Sequence, residues 1–221
     1  MASSERSVQP KKRRTQEERS ATTQELLTQA TIDAMYETGF ARLTTADIAK
    51  RAGVSRGALM HHYASKEDLI VVSYERLLSE ATQEIRSWLS MARAGDLTLD
   101  DFLDRLWIMY SGKLIFVTLE HITEARHNEP LRQQFIPVVK EFHAALEACW
   151  REFFHETSNS TVDPITVLTM TTGLFRGIAF QTVLREDAGY FDKLLQHWKS
   201  HVLSLVEVEA DVLKGKTKTM P

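Results

Sequence analysis

The sequence predicts an all-α protein, and three observations carry that reading. Glycine and proline are sparse, 9 and 5 in 221 residues, and they punctuate long stretches rather than clustering between short ones. Apolar residues return at three- and four-residue spacing through most of the chain. A Ser or Thr followed three residues later by an acid, the signature of a reciprocal helix cap, recurs at 44–47, 65–68 and 98–101.

Composition sets the outer limits. A hydrophobic fraction of 43% is enough for a well-buried core, in one domain or in a small domain joined to a larger one. The formal charge is only −3, but residues 1–70 hold 11 Lys/Arg against 9 Asp/Glu while the remainder holds 16 against 21. A local basic face can therefore collect phosphate contacts within a mildly acidic protein. The single cysteine, Cys149, excludes an internal disulfide framework and points to a reducing compartment, hence the cytoplasm. No apolar run reaches 18 residues and none follows the basic "KKRR" at 11–14, so no membrane partner is expected. That basic run reads as a solvated tail or an arm reaching DNA.

The first helix is expected over residues 22–38, with Leu26, Leu27, Ala30, Ala34 and Met35 as its apolar stripe; Gly39 ends it and Phe40 returns to the core. In "TTAD" at 44–47, Thr44 caps a short second helix whose Ile48, Ala49 and Ala52 face inward, and Gly53 stops it in a left-handed turn. Ser55 caps a third helix that ends near residue 62 or 63, with Leu59 pointing to the core. Ser65 and Asp68 start a long fourth helix buried through Leu69, Val72, Leu77, Leu78 and Ile85. Two short capped helices separated by a glycine turn have helix-turn-helix spacing.

That spacing gives the third helix a chemical task. Arg56 presents guanidinium donors to a guanine edge or a phosphate, and His61 and His62 offer imidazole hydrogen bonds without a metal. Gly57 and Ala58 keep the helix start slim for close approach, Met60 supplies an apolar contact, and Lys66 brings an ammonium to the phosphate backbone. Arg42, Lys50 and Arg51 are further charges on exposed helix faces.

Through "GF" at 39–40, "TTADIAKRAGVSRGAL" at 44–59 and "HHYASKEDL" at 61–69, the chain resembles the TetR/AcrR family of one-component transcription regulators. The resemblance implies a three-helix DNA-binding head joined through the fourth helix to a helical ligand-binding and dimerisation domain. It implies repression of transcription until a small effector lowers operator affinity. Carried over position by position, Thr44 caps the second helix, Arg56, Gly57, Ala58, Met60 and His61 face DNA, and Lys66 contacts phosphate. Two positions depart from the pattern: Ala58 stands where the family often has Thr, and Met60 where it often has Tyr. Tyr63 in place of a frequent Phe is a milder change. Two familiar hydroxyl contacts are therefore absent, and apolar contact with a thymine methyl takes their place.

The remaining helices are expected over residues 99–110, 114–126, 130–156, 163–186 and 190–213, with Pro130 and Pro164 at helix starts and Pro137 able to kink the third. The polar stretch at 155–161 is a connector. Aromatic side chains with scattered polar groups suit an effector cavity, and the candidates are Trp107, Tyr110, Phe116, His121, Phe142, Trp150, Phe153, Arg176 and Phe180, with Arg176 suited to a carboxylate. Gly173 and Gly177 leave small positions four residues apart, and Leu194, Leu195, Trp198, Val202, Leu205 and Val206 make a broad apolar face on the last helix. By the resemblance, these last two helices form the interface of a homodimer whose two heads meet a palindromic operator in double-stranded DNA.

The division expected is a basic arm at 1–20, a helix-turn-helix domain at 21–69, an effector-binding and dimerisation domain at 70–213 and a tail at 214–221. "EHITEARH" at 120–127 lacks the spacing that sets two histidines on one helix face with a base between them, so no metal site is expected. No catalytic group and no cofactor are expected either. An activator, or a regulator without an effector, is the alternative within this class; an all-helical enzyme is the remote one.

Overall fold

A computed structural model describes residues 15–153 and 163–217, with side chains described as far as Ser204. The basic run at 11–14, the connector at 155–161 and the side chains of Leu205 and Val206 lie outside the described residues. Within them the helices are α1 (Gln16–Thr38), α2 (Thr45–Ala52), α3 (Arg56–His62), α4 (Lys66–Ala94), α5 (Leu99–Ser111), α6 (Lys113–Ala125), α7 (Glu129–Arg151), α8 (Pro164–Thr182) and α9 (Ala188–Thr217), with one 3-10 turn at Phe40–Arg42. No strand occurs among the described residues.

Local chemistry accounts for most of the boundaries. α1 begins well before residue 22 because Thr15 and Glu18 close a reciprocal cap: Glu18 N–H donates to Thr15 Oγ1 at 3.1 Å and Thr15 N–H to Glu18 Oε2 at 2.9 Å. Thr98 and Asp101 close the same cap on α5. At Thr44 and Ser65 only half of the expected box forms, with the side-chain oxygen accepting from the backbone of Asp47 and Asp68. At Thr44 the acid turns instead to the cap's own hydroxyl, which donates to Asp47 Oδ2. α7 runs through Pro137 without a break, and α9 continues as far as Thr217. Two residues expected inside are exposed: Leu26 and Val72 lie on the outer faces of α1 and α4.

One contiguous apolar core joins head and body. It runs from Leu27, Ile48 and Leu59 through Leu69, Ile70, Tyr74, Leu78 and Ile85 of α4 to Phe102, Leu146, Trp150 and Phe175. α4 packs on α1 at its start and then along α7, its most extensive neighbour. The 29-residue helix spans about 43 Å at 1.5 Å per residue and belongs to both halves.

A second joint lies off α4. Gly39 sits at φ 76° and ψ 164°, a region almost closed to residues with a Cβ, and turns the chain so that the Phe40 N–H donates to Glu120 Oε2 of α6 at 3.0 Å. Beside it Lys113 of α6 pairs with Asp33 of α1, and Tyr36 meets Phe116 with ring centroids 6.0 Å apart. Gly39→Ala should therefore cost about 1–3 kcal/mol in urea denaturation, because the strained backbone dihedral remains whatever space the methyl finds.

Candidate functional site

The seven residues of α3 are too few to hold a helix alone, so their order comes from their surroundings. Ser55 Oγ accepts the Ala58 N–H at 3.1 Å, the fully buried Leu59 anchors the inner face, and the buried Tyr63 closes the end through its N–H to the Leu59 carbonyl at 3.0 Å. Gly53, left-handed at φ 69° and ψ 27°, sets the angle between α2 and α3. Arg56, Gly57, Met60 and His61 are left exposed on one side, with Ala58 and His62 half-buried at its edge. Met60 shows 46% of its surface, far more than a core methionine would.

Thr44 and Lys66 flank this face at the starts of α2 and α4. The Lys66 ammonium lies over the Phe40 ring, 4.9 Å from its centroid, so one side chain is tied to the turn that Glu120 holds. Arg51 is already engaged: its guanidinium makes a two-pronged pair with Glu37 at 2.8 and 2.7 Å, joining α2 to α1.

The body contains two adjoining apolar hollows. The inner one, about 160 Å³, lies among α4 to α8 and is lined by residues including Tyr74, Tyr110, Thr118, Phe142, His143 and Arg176. The outer one, about 390 Å³, lies among α4, α6 and α7; Tyr74, Ile122 and Val139 line both. Of the nine residues expected to face a cavity, Tyr110, Phe142 and Arg176 meet in the inner hollow and His121 in the outer one.

The other five sit elsewhere. Trp107 packs against Phe175, Phe116 between Tyr36 and Phe180, and Phe153 against Phe102. Trp150 is fully buried, and its indole N–H donates to the Pro164 carbonyl at 2.7 Å, fixing α7 to the start of α8. Tyr74, Thr118 and His143 are lining residues that sequence reasoning missed. Tyr74 had the clearest signal, an aromatic with a hydroxyl at helical spacing from Leu78.

Inside the hollows, burial governs ionisation. It pushes the Tyr110 hydroxyl up to about 12, with the Arg176 charge opposing. Burial and then the Arg176 charge hold His143 below its usual value. Burial brings His121 down to about 4, with the Val117 carbonyl pulling the other way. The His121 ring stacks on Tyr74 at 4.0 Å and meets the edge of Phe135 at 5.1 Å. Its Nδ1–H donates to the Val117 carbonyl at 2.7 Å, while Nε2 lacks a hydrogen-bond partner among the described residues. Cys149 is buried and its thiol is pushed up to about 12.

On the proposed dimer face the residues divide. Leu195 and Val202 are buried inside the protomer, and Trp198 donates its indole N–H to Thr171 Oγ1 at 2.9 Å, binding α9 to α8. Leu194 is half-buried. Gly173 and Gly177 open onto space that a Cβ would not fill, and Met170, Val183 and Leu184 leave large apolar surfaces exposed nearby in the chain. No helix among the described residues is long and apolar enough to cross a membrane.

An exposed third helix on a capped helix-turn-helix, joined by a continuous helix to an all-helical body, defines a DNA-binding transcription regulator. The family model for the tetR family of bacterial regulatory proteins matches residues 27–71, which span this head. The regulator CymR of Pseudomonas putida is 28% identical over 183 residues, covering 83% of this chain and 90% of that protein. ArpR of Pseudomonas putida, a probable regulator of the same helix-turn-helix type, is 36% identical over 145 residues, 61% of this chain and 66% of its own length. A TetR-family regulator of Mesorhizobium loti shares the fold with a TM-score of 0.64 at 18% identity, over 86% of this chain and 98% of that one. Residues 27–71 are a tetR-family DNA-binding head, and with the likeness that extends over the body they support the role of a sequence-specific DNA-binding regulator of this type.

Two measurements test the joints around α6. Glu120→Ala strips the Phe40 N–H of its acceptor and should lower stability by about 1–2 kcal/mol in urea, whereas Glu120→Gln, which still offers an oxygen, should lose less. For His121, the unfolded chain takes up a proton near pH 6.5 and the folded chain only near pH 4, so the stability present above pH 6.5 is lost as pH falls between the two. That share amounts to roughly 2 kcal/mol between pH 7 and 5, and His121→Gln should remove it from the pH dependence of the urea midpoint.

Proposed function

We propose that this chain is a dimeric, cytoplasmic repressor that releases a palindromic operator when a small molecule enters the hollow of its body. The observation that supports the release step most directly is the double tie between hollow and reading head. Tyr74, two turns beyond Lys66 on the same unbroken helix, walls both hollows, and α6, which lines them too, holds the turn at Phe40 through Glu120. A ligand that shifts α4 against α6 changes where Lys66 and α3 lie.

In this reading Arg56 and His61 read base edges, His62 adds a hydrogen bond at the rim, Met60 and Ala58 touch thymine methyls, and Gly57 permits close approach. Thr44 and Lys66 fix phosphates on either side. A second copy packs over α8 and the exposed side of α9, with Gly173 and Gly177 allowing close approach and the side chains of Leu194 and Trp198 completing the contact. Two heads then face half-sites about one DNA turn apart, roughly 34–36 Å, or a larger spacing. For release, the ligand must favour the state that binds DNA poorly; each tenfold loss of operator affinity requires about 1.4 kcal/mol of such preference.

Footprinting of genomic DNA with the purified protein finds the operator and tests the reading at its base: protection of no promoter at low salt would end it. On that operator, Arg56→Ala should cost about 1–3 kcal/mol and relax preference at one base position, while Lys66→Ala should weaken all DNAs similarly and reduce the salt slope by about one. A promoter fusion assayed with and without the gene separates repression from activation.

A further inference from the structure

The charge pattern of the hollows points to a class of ligand. The inner hollow is lined by side chains of five helices and contains one permanently charged group, the Arg176 guanidinium. Its Nε–H donates to the Thr172 carbonyl at 3.1 Å and Nη2 to Thr172 Oγ1 at 3.1 Å, both within its own helix. The guanidinium carbon lies 5.6 Å from the centre of the Tyr110 ring. No carboxylate pairs with it among the described residues, and no Asp or Glu lines either hollow. A guanidinium has five N–H donors, so the Nη1 pair and one on Nη2 remain for a guest. An arginine with no acidic partner beside an apolar hollow is an unmet demand for an anion.

Size and charge narrow the guest. A cavity near 150 Å³ takes benzene, and the inner hollow is about 160 Å³. One guanidinium balances one negative charge, and its two-pronged donor geometry matches a planar carboxylate. A dianionic phosphate would bring a second charge with no second cation in the inner hollow. The outer hollow beyond Tyr74, Ile122 and Val139 adds apolar wall, and the basic Arg126, Arg132 and Lys140 also line it.

Resting on the ligand-responsive reading above, we propose that the effector is a small organic monocarboxylate with a compact apolar body of about one ring, its carboxylate held by Arg176 and its body against Tyr74, Phe142 and Val139. Thr118 and the Tyr110 hydroxyl border the same space and offer polar contacts at its edge.

The test pairs acids with their uncharged isosteres on the full-length protein: benzoate against benzamide, and hexanoate against hexanamide, by calorimetric titration and thermal shift. At least one acid should bind tenfold or more tightly than its amide. Arg176→Gln should erase that tenfold preference, and Arg176→Lys should keep part of it. Both variants should bind operator DNA without ligand as the parent does, which also shows that they fold. Amides binding as well as acids, acids binding Arg176→Gln unimpaired, or no acid binding at all would each overturn the proposal. Operator release separates it from the reading on which it rests. Acids that bind through Arg176 without altering DNA affinity leave the ligand class standing and remove the release mechanism. Release by the amides alone does the reverse.

Discussion

The unbroken course of α4 is the constraint on which the other arrangements depend. Its first residue is the lysine beside the reading face, its third turn carries the tyrosine that walls both hollows, and its second half packs on α7. A hydrogen-bonded helix resists bending except at a proline, a glycine or an inserted group, and Lys66–Ala94 contains neither proline nor glycine. Displacement at one end is therefore delivered to the other as rotation or translation rather than absorbed between them. The buried path from Leu59 through Ile70 and Tyr74 into the body gives that helix no loose stretch in which to dissipate motion.

The reading helix shows the complementary arrangement. Seven residues with a single fully buried side chain leave most of α3 free for contact with DNA, and their rigidity is supplied by α1, α2 and the start of α4. The exposed Met60 and the half-buried Ala58 make this face poorer in hydroxyl donors than the residues often found in the family. The polar groups it does expose are those of Arg56 and His61, with the half-buried His62 at the edge, the two imidazole rings edge to face with centroids 5.5 Å apart.

The head was legible because its determinants are local. Thr44, Gly53, Ser55 and Ser65 act on backbone groups within a few residues, so a linear reading recovers the helices and their order. The cap at Thr15 fell outside that reading because the apolar stripe it precedes begins several residues later. The body was harder for the opposite reason. Trp107, Phe116, Phe153 and Phe180 have the composition of a cavity wall, but their partners, Phe175, Tyr36 and Phe102, lie far away in sequence and turn them into packing. Tyr74 was not singled out in the sequence, because only the approach of α6 and α7 makes it a wall shared by two spaces. Arg176 was identifiable as a carboxylate partner from its chemistry; the absence of acid around it among the described residues is a property of five helices together.

The hydrogen bond from Phe40 to Glu120 spans 80 positions of chain, one partner in the head and the other on α6 of the body. Neither half carries that contact by itself. Related regulators recombine heads and bodies readily on paper, since a graft at the long helix preserves every cap and every core residue of the head. A hybrid that takes this head onto a body without an acid at the position of Glu120 keeps the helices of the head but loses the hydrogen bond that ties the Phe40 turn to α6. Compatibility in such chimeras is then decided by a residue in neither the reading helix nor the ligand hollow.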